Sequence, residues 1–215
     1  MATAGDLRRR PGAPVPPPQH NLQTATDHAL ARLREQSAEQ MEWLGAARAA
    51  GGWHLPVLEN VLTVDLGNGE CTTRDGRGVR PPWRILVLHY LGIAGRPVPG
   101  DVTGTFADLP GGRAYAGVYR ARVNERLCAT AGREAETLRR AALALGARPA
   151  EGGDLAFDVD VFPRLGVRLV WYAGDEEFGP EATLLLPASI GQMLCMEDIV
   201  VVSERLVARL GGQPF

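Results

Sequence analysis

The sequence predicts a single α+β domain, in which a small, mostly antiparallel sheet packs against a buried central helix and a C-terminal helix. Residues 154–173 hold two runs in which apolar and polar side chains alternate, which is typical of paired strands. A short apolar run at 182–186 adds a third strand. The segment "PWRILVLHYL" at 82–91 is apolar nearly all round, which favours a helix in the domain centre.

The N-terminal part is predicted to hold a tail and a long helix. Residues 1–20 contain "PGAPVPPPQ", a composition that favours extended, solvated chain, so we expect a disordered tail. Residues 21–52 form the N-terminal helix in this interpretation, because apolar residues recur three and four apart until Gly51-Gly52. The α+β domain then spans 53–215.

The other elements follow from the same patterns. Strands are predicted near 57–66 and 70–74, and helices within 105–127, 131–145 and 196–210. Since both apolar faces of the 154–173 pair must meet one core, an odd loop at 162–166 is expected. That register would place Asp160 opposite Arg168 as a cross-strand charge pair.

Composition limits the function classes. The chain has 215 residues, of which 45% are hydrophobic, enough for one domain with a sizeable core. The net charge of −2 gives no global field for nucleic acid or acidic lipid, so no nucleic-acid partner is expected. All 23 basic residues are arginine, so a P-loop lysine and a lysine Schiff base are both excluded.

Cysteine usage and hydropathy indicate a cytoplasmic protein. Cys71, Cys128 and Cys195 are odd in number and widely spaced, which predicts neither a disulfide framework nor a zinc site. No run approaches the roughly 20 apolar residues that cross a bilayer, and no signal-peptide pattern follows the N-terminal arginines. We therefore expect no membrane association.

The stretch "WYAGDEEFGPEATLLLP" contains three consecutive acidic residues, Asp175, Glu176 and Glu177, between two strand-like runs, and we call this segment the acid turn. Gly174 and Pro180 flank it, which predicts a tight turn at a sheet end. The carboxylates have three interpretations: a solvated turn, a structural or ligand-orienting pair with an arginine, or two ligands of a hard cation. No third ligand stands at a fixed spacing, so no metal site is assigned.

His89, Tyr90 and Tyr115 are the other candidate site residues. His89 is the histidine inside the apolar 82–91 segment, where it is either a satisfied core residue or a base whose partner the sequence does not identify. Tyr115 precedes Tyr119, Arg120 and Arg122, a run that suits core packing or an anionic or flat ligand.

The combination "ILVLHYL", "FADLPGGRAY" and "GDEEFGPEATLLLP", in that order, resembles a bacterial and archaeal domain-of-unknown-function family, numbered three-seven-eight-six. The resemblance covers about residues 55 to 210. Fusion of some members to a corrinoid iron–sulfur type four-iron–four-sulfur domain implies a setting in anaerobic one-carbon or corrinoid metabolism. The first 54 residues here contain no cysteine, so that cluster is not expected. The family's recurrent positions match two sets: His89, Tyr90, Gly112 and Tyr115, and Asp175 to Phe178.

Two functional hypotheses follow. The first is a non-catalytic binding module for a small anionic or metal-containing cofactor, or for a partner protein. The second is an enzyme of unknown reaction, in which Glu176 or Glu177 is the general base and His89 or Tyr90 lies within reach of the acid turn in one pocket. Cofactor identity and oligomeric state cannot be read from the sequence.

Overall fold

The structure is a computed structural model that describes residues 19–98 and 100–215, with side chains from residue 24 onward. It has an α+β architecture, as the sequence predicts. The predicted disordered tail falls almost entirely on residues 1–18, which lie outside the described residues. Gln19 and His20 already belong to the first helix.

Helices and strands alternate in groups along the chain. The helices are α1 Gln19–Arg34, α2 Ala38–Trp43, α3 Pro81–Leu91, α4 Gly112–Tyr119, α5 Glu125–Ala129, α6 Ala135–Ala144, α7 Ile190–Met193 and α8 Met196–Leu210. The strands are β1 Ala47–Ala49, β2 Gly52–Val57, β3 Asn60–Val64, β4 Cys71–Thr72, β5 Val102–Gly104, β6 Arg148–Pro149, β7 Leu155–Phe162, β8 Leu165–Tyr172 and β9 Glu181–Pro187. A π-helical turn, Arg120–Asn124, joins α4 to α5.

The described strands form two antiparallel sheets. The larger has the order β5-β9-β8-β7-β6, and its centre is the three strands predicted at 154–173 and 182–186. The smaller has the order β1-β2-β3-β4. The predicted strand at 57–66 is wrong at its start, because Leu58 and Glu59 turn the chain between β2 and β3. Leu58 takes a φ of 52° there, a conformation usually reserved for Gly or Asn, so the turn had no sequence signal.

The predicted single helix over 21–52 is divided in the structure. Ser37 starts α2 because its side chain accepts a hydrogen bond from the amide of Gln40 at 3.1 Å. Gly45, with a φ of 89°, ends that helix, and the chain continues into β1. The helix α1 packs against α3, so it belongs to the domain and is not a separate appendage.

The hairpin of β7 and β8 has a different register from the one predicted. Phe162 pairs with Leu165 across a two-residue turn, and a bulge between Asp160 and Phe162 keeps both apolar faces on one side. Arg168 therefore lies opposite Asp158, which it binds at 2.7 Å and 3.0 Å. The predicted pairing of Asp160 with Arg168 is wrong, and Asp160 binds Arg148 of β6 instead.

One apolar core joins the helices and both sheets. The helix α3 lies at its centre, as predicted, with six buried residues in eleven. The amide of Leu58 donates to the carbonyl of Val161 at 3.2 Å, which joins the smaller sheet to the larger. None of the described helices combines the length and apolar character needed to span a bilayer.

Candidate functional site

The packing of α3 against α8 brings His89 to a carboxylate that is distant in sequence. His89 stands near the C-terminal end of α3, and Asp198 stands in the first turn of α8. The His89 Nδ1 atom lies 2.9 Å from both carboxylate oxygens of Asp198. The Asp198 side chain is only 12% exposed, whereas that of His89 is 31% exposed. A nearly buried carboxylate thus holds a partly exposed imidazole.

This contact fixes the chemistry of the His89 ring. An ionised carboxylate can only accept hydrogen bonds, so His89 donates through Nδ1–H. The neutral imidazole then carries its lone pair on Nε2, which has no hydrogen-bond partner among the described residues. A carboxylate behind the ring also fixes its orientation, as it does behind histidines that bind metals or act as bases.

Cys195 completes the cluster from the position preceding α8. Its Sγ donates to Asp198 Oδ2 at 3.2 Å. Burial, followed by the Asp198 charge, raises the pKa of the Cys195 thiol, so the neutral thiol is the form present at neutral pH. A thiol in this state is a hydrogen-bond donor to Asp198 and not an activated nucleophile.

His89, Cys195 and Asp198 line a cavity of about 320 Å³. The helix α1 forms the facing wall and contributes His28 and Arg32. The cavity therefore combines an oriented imidazole, a second imidazole and a guanidinium. The His89 Nε2 atom can accept a hydrogen bond or fill an open coordination position of a metal complex, and the guanidinium can bind an anion.

Tyr90, the neighbour of His89, points to the opposite side of α3 and lies in the core. Its hydroxyl donates to the carbonyl of Leu44 at 2.7 Å and accepts from the amide of Arg164 at 3.1 Å. Its ring stacks on Phe162 with centroids 4.3 Å apart. Burial raises the pKa of Tyr90 far above its ordinary range. Tyr90 therefore connects α3 to the loop between α2 and β1 and to the β7–β8 turn.

The acid turn is organised by its first residue. Asp175 Oδ1 accepts from the amides of Glu177 and Phe178, both at 2.8 Å, and the Asp175 amide donates to the Phe178 carbonyl at 2.8 Å. These amides, that of Phe178 first, hold the pKa of the Asp175 carboxyl below its usual range. A Cβ on Gly174 would lie 2.5 Å from the Phe178 carbonyl oxygen, so the turn requires glycine there.

Glu176 and Glu177 are exposed. Within residues 24–98 and 100–215 neither side chain makes an ion pair, so the structure gives no support to the interpretation that one of them binds an arginine. The same part of the chain holds no group of three or more His, Cys, Asp or Glu side chains arranged to hold a metal ion. The solvated-turn interpretation agrees best with this geometry.

A second and larger cavity, of about 640 Å³, lies beside the acid turn. Phe178 and Tyr172 border it on the strand side, and Arg120, Asn124 and Cys128 border it on the helix side. The Asn124 Oδ1 atom is buried without a hydrogen-bond partner in the described part of the chain. Asn124 ends the π-helical turn, a rare distortion that is frequent at functional sites.

The predicted site residues do not converge. The cavity of His89 contains no residue of the acid turn, and the cavity beside Phe178 contains neither His89 nor Tyr115. Tyr115 is 58% exposed on α4 and lines neither of these two cavities. The sequence therefore points to two separate places, of which the His89 cavity has the more defined chemistry.

Comparison with known families adds one match. The profile of the Domain of unknown function (DUF3786) matches residues 37–209. The chain belongs to the DUF3786 family. No curated protein and no solved structure gives a significant match.

The DUF3786 match covers His89, Cys195 and Asp198, whereas α1, with His28 and Arg32, precedes it. Sequence reasoning selected His89 but missed Asp198 as its partner. Acidic residues in the first turn of a helix are common for electrostatic reasons alone, so Asp198 carried no distinct signal. His89 and Asp198 form a dyad only where α3 packs against α8, and this contact is visible in the fold but not in the sequence.

Proposed function

We propose that the chain is a binding module for a small ligand, which it holds in the cavity of His89, Cys195 and Asp198. The ligand is an anionic or metal-containing cofactor, in which a metal would be held by the lone pair of His89 Nε2 and an anionic group by Arg32. The observation that carries this proposal is the 2.9 Å contact of His89 Nδ1 with both oxygens of Asp198. A histidine that served packing alone would not need a carboxylate partner on Nδ1. Here that partner leaves the Nε2 atom of a cavity-lining residue free to bind a ligand.

Charge and hydrogen bonding support a ligand of this class. Neutral imidazole with Nε2 unprotonated is the form that binds metals. Because the described part of the chain offers no three-residue metal site, a metal would bring its other ligands with it. Arg32 on the facing wall supplies a cation for an anionic group of the same ligand.

Size limits what the cavity can enclose. Its volume of about 320 Å³ is at the lower end of the range of small-molecule sites, roughly 300–1,000 Å³. The family resemblance implies anaerobic one-carbon or corrinoid metabolism, and that setting is part of the proposal. A corrinoid ring is larger than this cavity, so the cavity would not enclose it, and His89 would be the residue that holds its metal.

The experiment compares two probes on the purified protein. Aqueous Co²⁺ and aquacobinamide, a corrinoid without its own lower base, both change their visible absorbance when an imidazole coordinates the cobalt. We expect the parent protein to shift one or both spectra with saturation. His89→Gln should abolish the shift, and Asp198→Asn should weaken it, because outer-shell partners of ligating histidines typically contribute 10- to 100-fold in affinity.

His54→Gln is the matched control, since His54 is exposed on β2 and lies outside this cavity. It should leave both titrations unchanged. Equal spectral shifts in the parent, His89→Gln and His54→Gln would show adventitious histidine binding and would contradict the proposal.

An enzyme is the second candidate function, and the same dyad favours it. An imidazole oriented by a carboxylate is a general base, and Nε2 would take a proton from a substrate bound in the cavity. A base supplied by Glu176 or Glu177 would instead have to act at the larger cavity, which Phe178 borders. A reaction whose turnover is lost in His89→Gln and retained in Glu177→Gln would favour the His89–Asp198 dyad as the general base.

A further inference from the structure

The cavity between the acid turn and the π-helical turn is bordered by two aromatic side chains that the fold leaves in solvent. Phe178 is 69% exposed and Tyr172 is 49% exposed, and both line this cavity of about 640 Å³. Tyr115 is the other exposed aromatic residue in the described part of the chain, and it does not line this cavity. Single exposed apolar residues are ordinary on a protein surface, but two rings at one cavity of small-molecule size indicate a binding site.

The position of Phe178 follows from the geometry of the acid turn. Its amide donates to Asp175 Oδ1 at 2.8 Å, and its carbonyl accepts from the Asp175 amide at 2.8 Å. These two hydrogen bonds hold the Phe178 main chain, although its side chain buries little surface. A molecule that enters the cavity therefore meets a ring whose attachment is already fixed, which lowers the entropy lost on binding.

The charges around the cavity are predominantly negative. Its lining contains one arginine, Arg120, and two glutamates, Glu125 and Glu181. Arg120 binds Glu125 at 3.2 Å, whereas Glu181 makes no ion pair in the described part of the chain. Glu181 stands directly opposite Tyr172 in the β8–β9 register, so the carboxylate and the phenol ring project from the same face of the sheet. The carboxylates of the acid turn, in the same loop as Phe178, add to the negative field.

The other polar side chains of the cavity leave this charge balance unchanged. Burial raises the pKa of the Cys128 thiol, and the nearby charges of Glu181 and Glu125 raise it further. The thiol is therefore neutral at neutral pH and adds no charge. The Oδ1 atom of Asn124 is buried without a partner among the described residues. Because an atom that is closed to water is closed to a ligand as well, Asn124 Oδ1 is not a contact for a bound molecule.

We propose that this cavity binds the alkylammonium group of a small molecule, which lies against the rings of Phe178 and Tyr172 and is neutralised by Glu181. The face of an aromatic ring is negative and attracts cations, more strongly where the cation has left bulk water. An unpaired carboxylate beside the rings provides the opposite charge. A phosphate or carboxylate group would be repelled by Glu181 and by the acid turn, so anionic ligands are disfavoured.

This site does not depend on the function proposed for the His89 cavity. The two cavities share no lining residue. Arg32 lines the His89 cavity and favours an anion, whereas Glu181 lines this one and favours a cation. A result at one site therefore does not decide the other.

The test is a calorimetric titration of the purified protein with choline and with its neutral isostere, 3,3-dimethylbutan-1-ol, at constant ionic strength set with sodium chloride. The two probes have nearly the same shape and differ in charge. We expect choline to give a saturable heat, and the neutral alcohol to bind at least about tenfold more weakly, because it lacks the cation–π and carboxylate contacts. Equal affinity for the two probes, or no saturable heat with choline, would overturn the proposal.

Single variants locate the site. Phe178→Leu and Tyr172→Leu keep an apolar side chain but remove an aromatic face, and each should weaken choline binding by about 2- to 30-fold, the range that cation–π contacts span. Glu181→Gln should weaken it as well, since it removes the opposite charge. All three side chains are exposed, so these changes leave the core intact.

Tyr115→Leu is the matched control, because Tyr115 is 58% exposed and lies outside this cavity. It should bind choline as the parent does. Equal affinities in the parent, the control and the three cavity variants would place the binding elsewhere on the surface and would contradict the assignment.

Ethanolamine, titrated in parallel, distinguishes two sources of the ammonium group. A lower dissociation constant than that of choline assigns the cavity to a primary amine, whose N–H groups donate to Glu181. The opposite order assigns it to a quaternary ammonium, for which the two rings provide most of the attraction.

Discussion

Asp175, Glu176 and Glu177 are adjacent in sequence but have different roles. Asp175 accepts two backbone amides and organises its own turn, whereas Glu176 and Glu177 project into solvent. The sequence could place all three on a turn, because Gly174 and Pro180 flank them. It could not show which carboxylate turns back onto the chain, since that depends on the direction each side chain takes.

We therefore expect Glu176→Gln and Glu177→Gln each to change the free energy of unfolding by about 0.5 kcal/mol or less, as ordinary surface substitutions do. Asp175→Ala should instead speed hydrogen exchange of the Glu177 and Phe178 amides. The Asp175 pKa lies below its ordinary value of 3.8, so its contribution is complete above that pH and is lost as pH falls through the lower, folded value. A loss of about 2 kcal/mol in either Gln variant would contradict this assignment.

Two bidentate ion pairs allow a comparison of burial at the residue level. Glu204 is 11% exposed and binds Arg122, which is 47% exposed. Asp160 and Arg148 form a similar pair but are 54% and 60% exposed. We expect Glu204→Gln to cost about 1–2 kcal/mol, after allowance for the exposure of Arg122, and Asp160→Asn less than about 0.5 kcal/mol. Urea unfolding of the two variants measures both, and equal losses would show that burial of Glu204 contributes nothing.

Among the elements, the segment from 106 to 129 departs most from a regular helix. A 3-10 turn at Phe106–Asp108 precedes α4, and the π-helical turn separates α4 from α5. Phe106 stacks on Tyr119 with centroids 4.2 Å apart, and the Tyr119 hydroxyl donates to Ser203 Oγ at 2.9 Å. Burial raises the pKa of Tyr119 to about 12, so it remains a neutral donor. These contacts fix the segment on α8.

Two glycines of α4 provide a matched pair for testing this packing. A Cβ on Gly112 would lie 1.9 Å from the Phe106 carbonyl oxygen, whereas a Cβ on Gly117 would meet nothing within 4 Å. Gly112→Ala should therefore destabilise the protein by about 2 kcal/mol or more, because backbone atoms must move. Gly117→Ala should stabilise it by about 0.5–1 kcal/mol through helix propensity. Thermal unfolding checks both, and a neutral Gly112→Ala would show that α4 does not need this close approach.

At the scale of the whole molecule, the sequence predicted the parts whose signal is local and periodic. The strands at 154–173 and 182–186, the buried α3 and the C-terminal α8 all follow from apolar patterns. The strands β1 and β2 of the smaller sheet and the division of the N-terminal helix were missed, because Leu58 and Ser37 act through single turns and caps. The His89–Asp198 dyad was missed because it forms only when α8 packs beside α3.

The structure also predicts that both sheets unfold together, since one core joins them. Leu62 of the smaller sheet is fully buried, and Leu62→Ala should cost about 2–5 kcal/mol. If the domain is one cooperative unit, amide exchange at Leu169 in the larger sheet will lose protection by the same free energy as exchange at Leu55 beside the mutation. Leu143→Ala, at a 49% exposed position on α6, is the control and should change neither. Loss of protection confined to the smaller sheet would show two independent folding units, and the shared core would then not couple them.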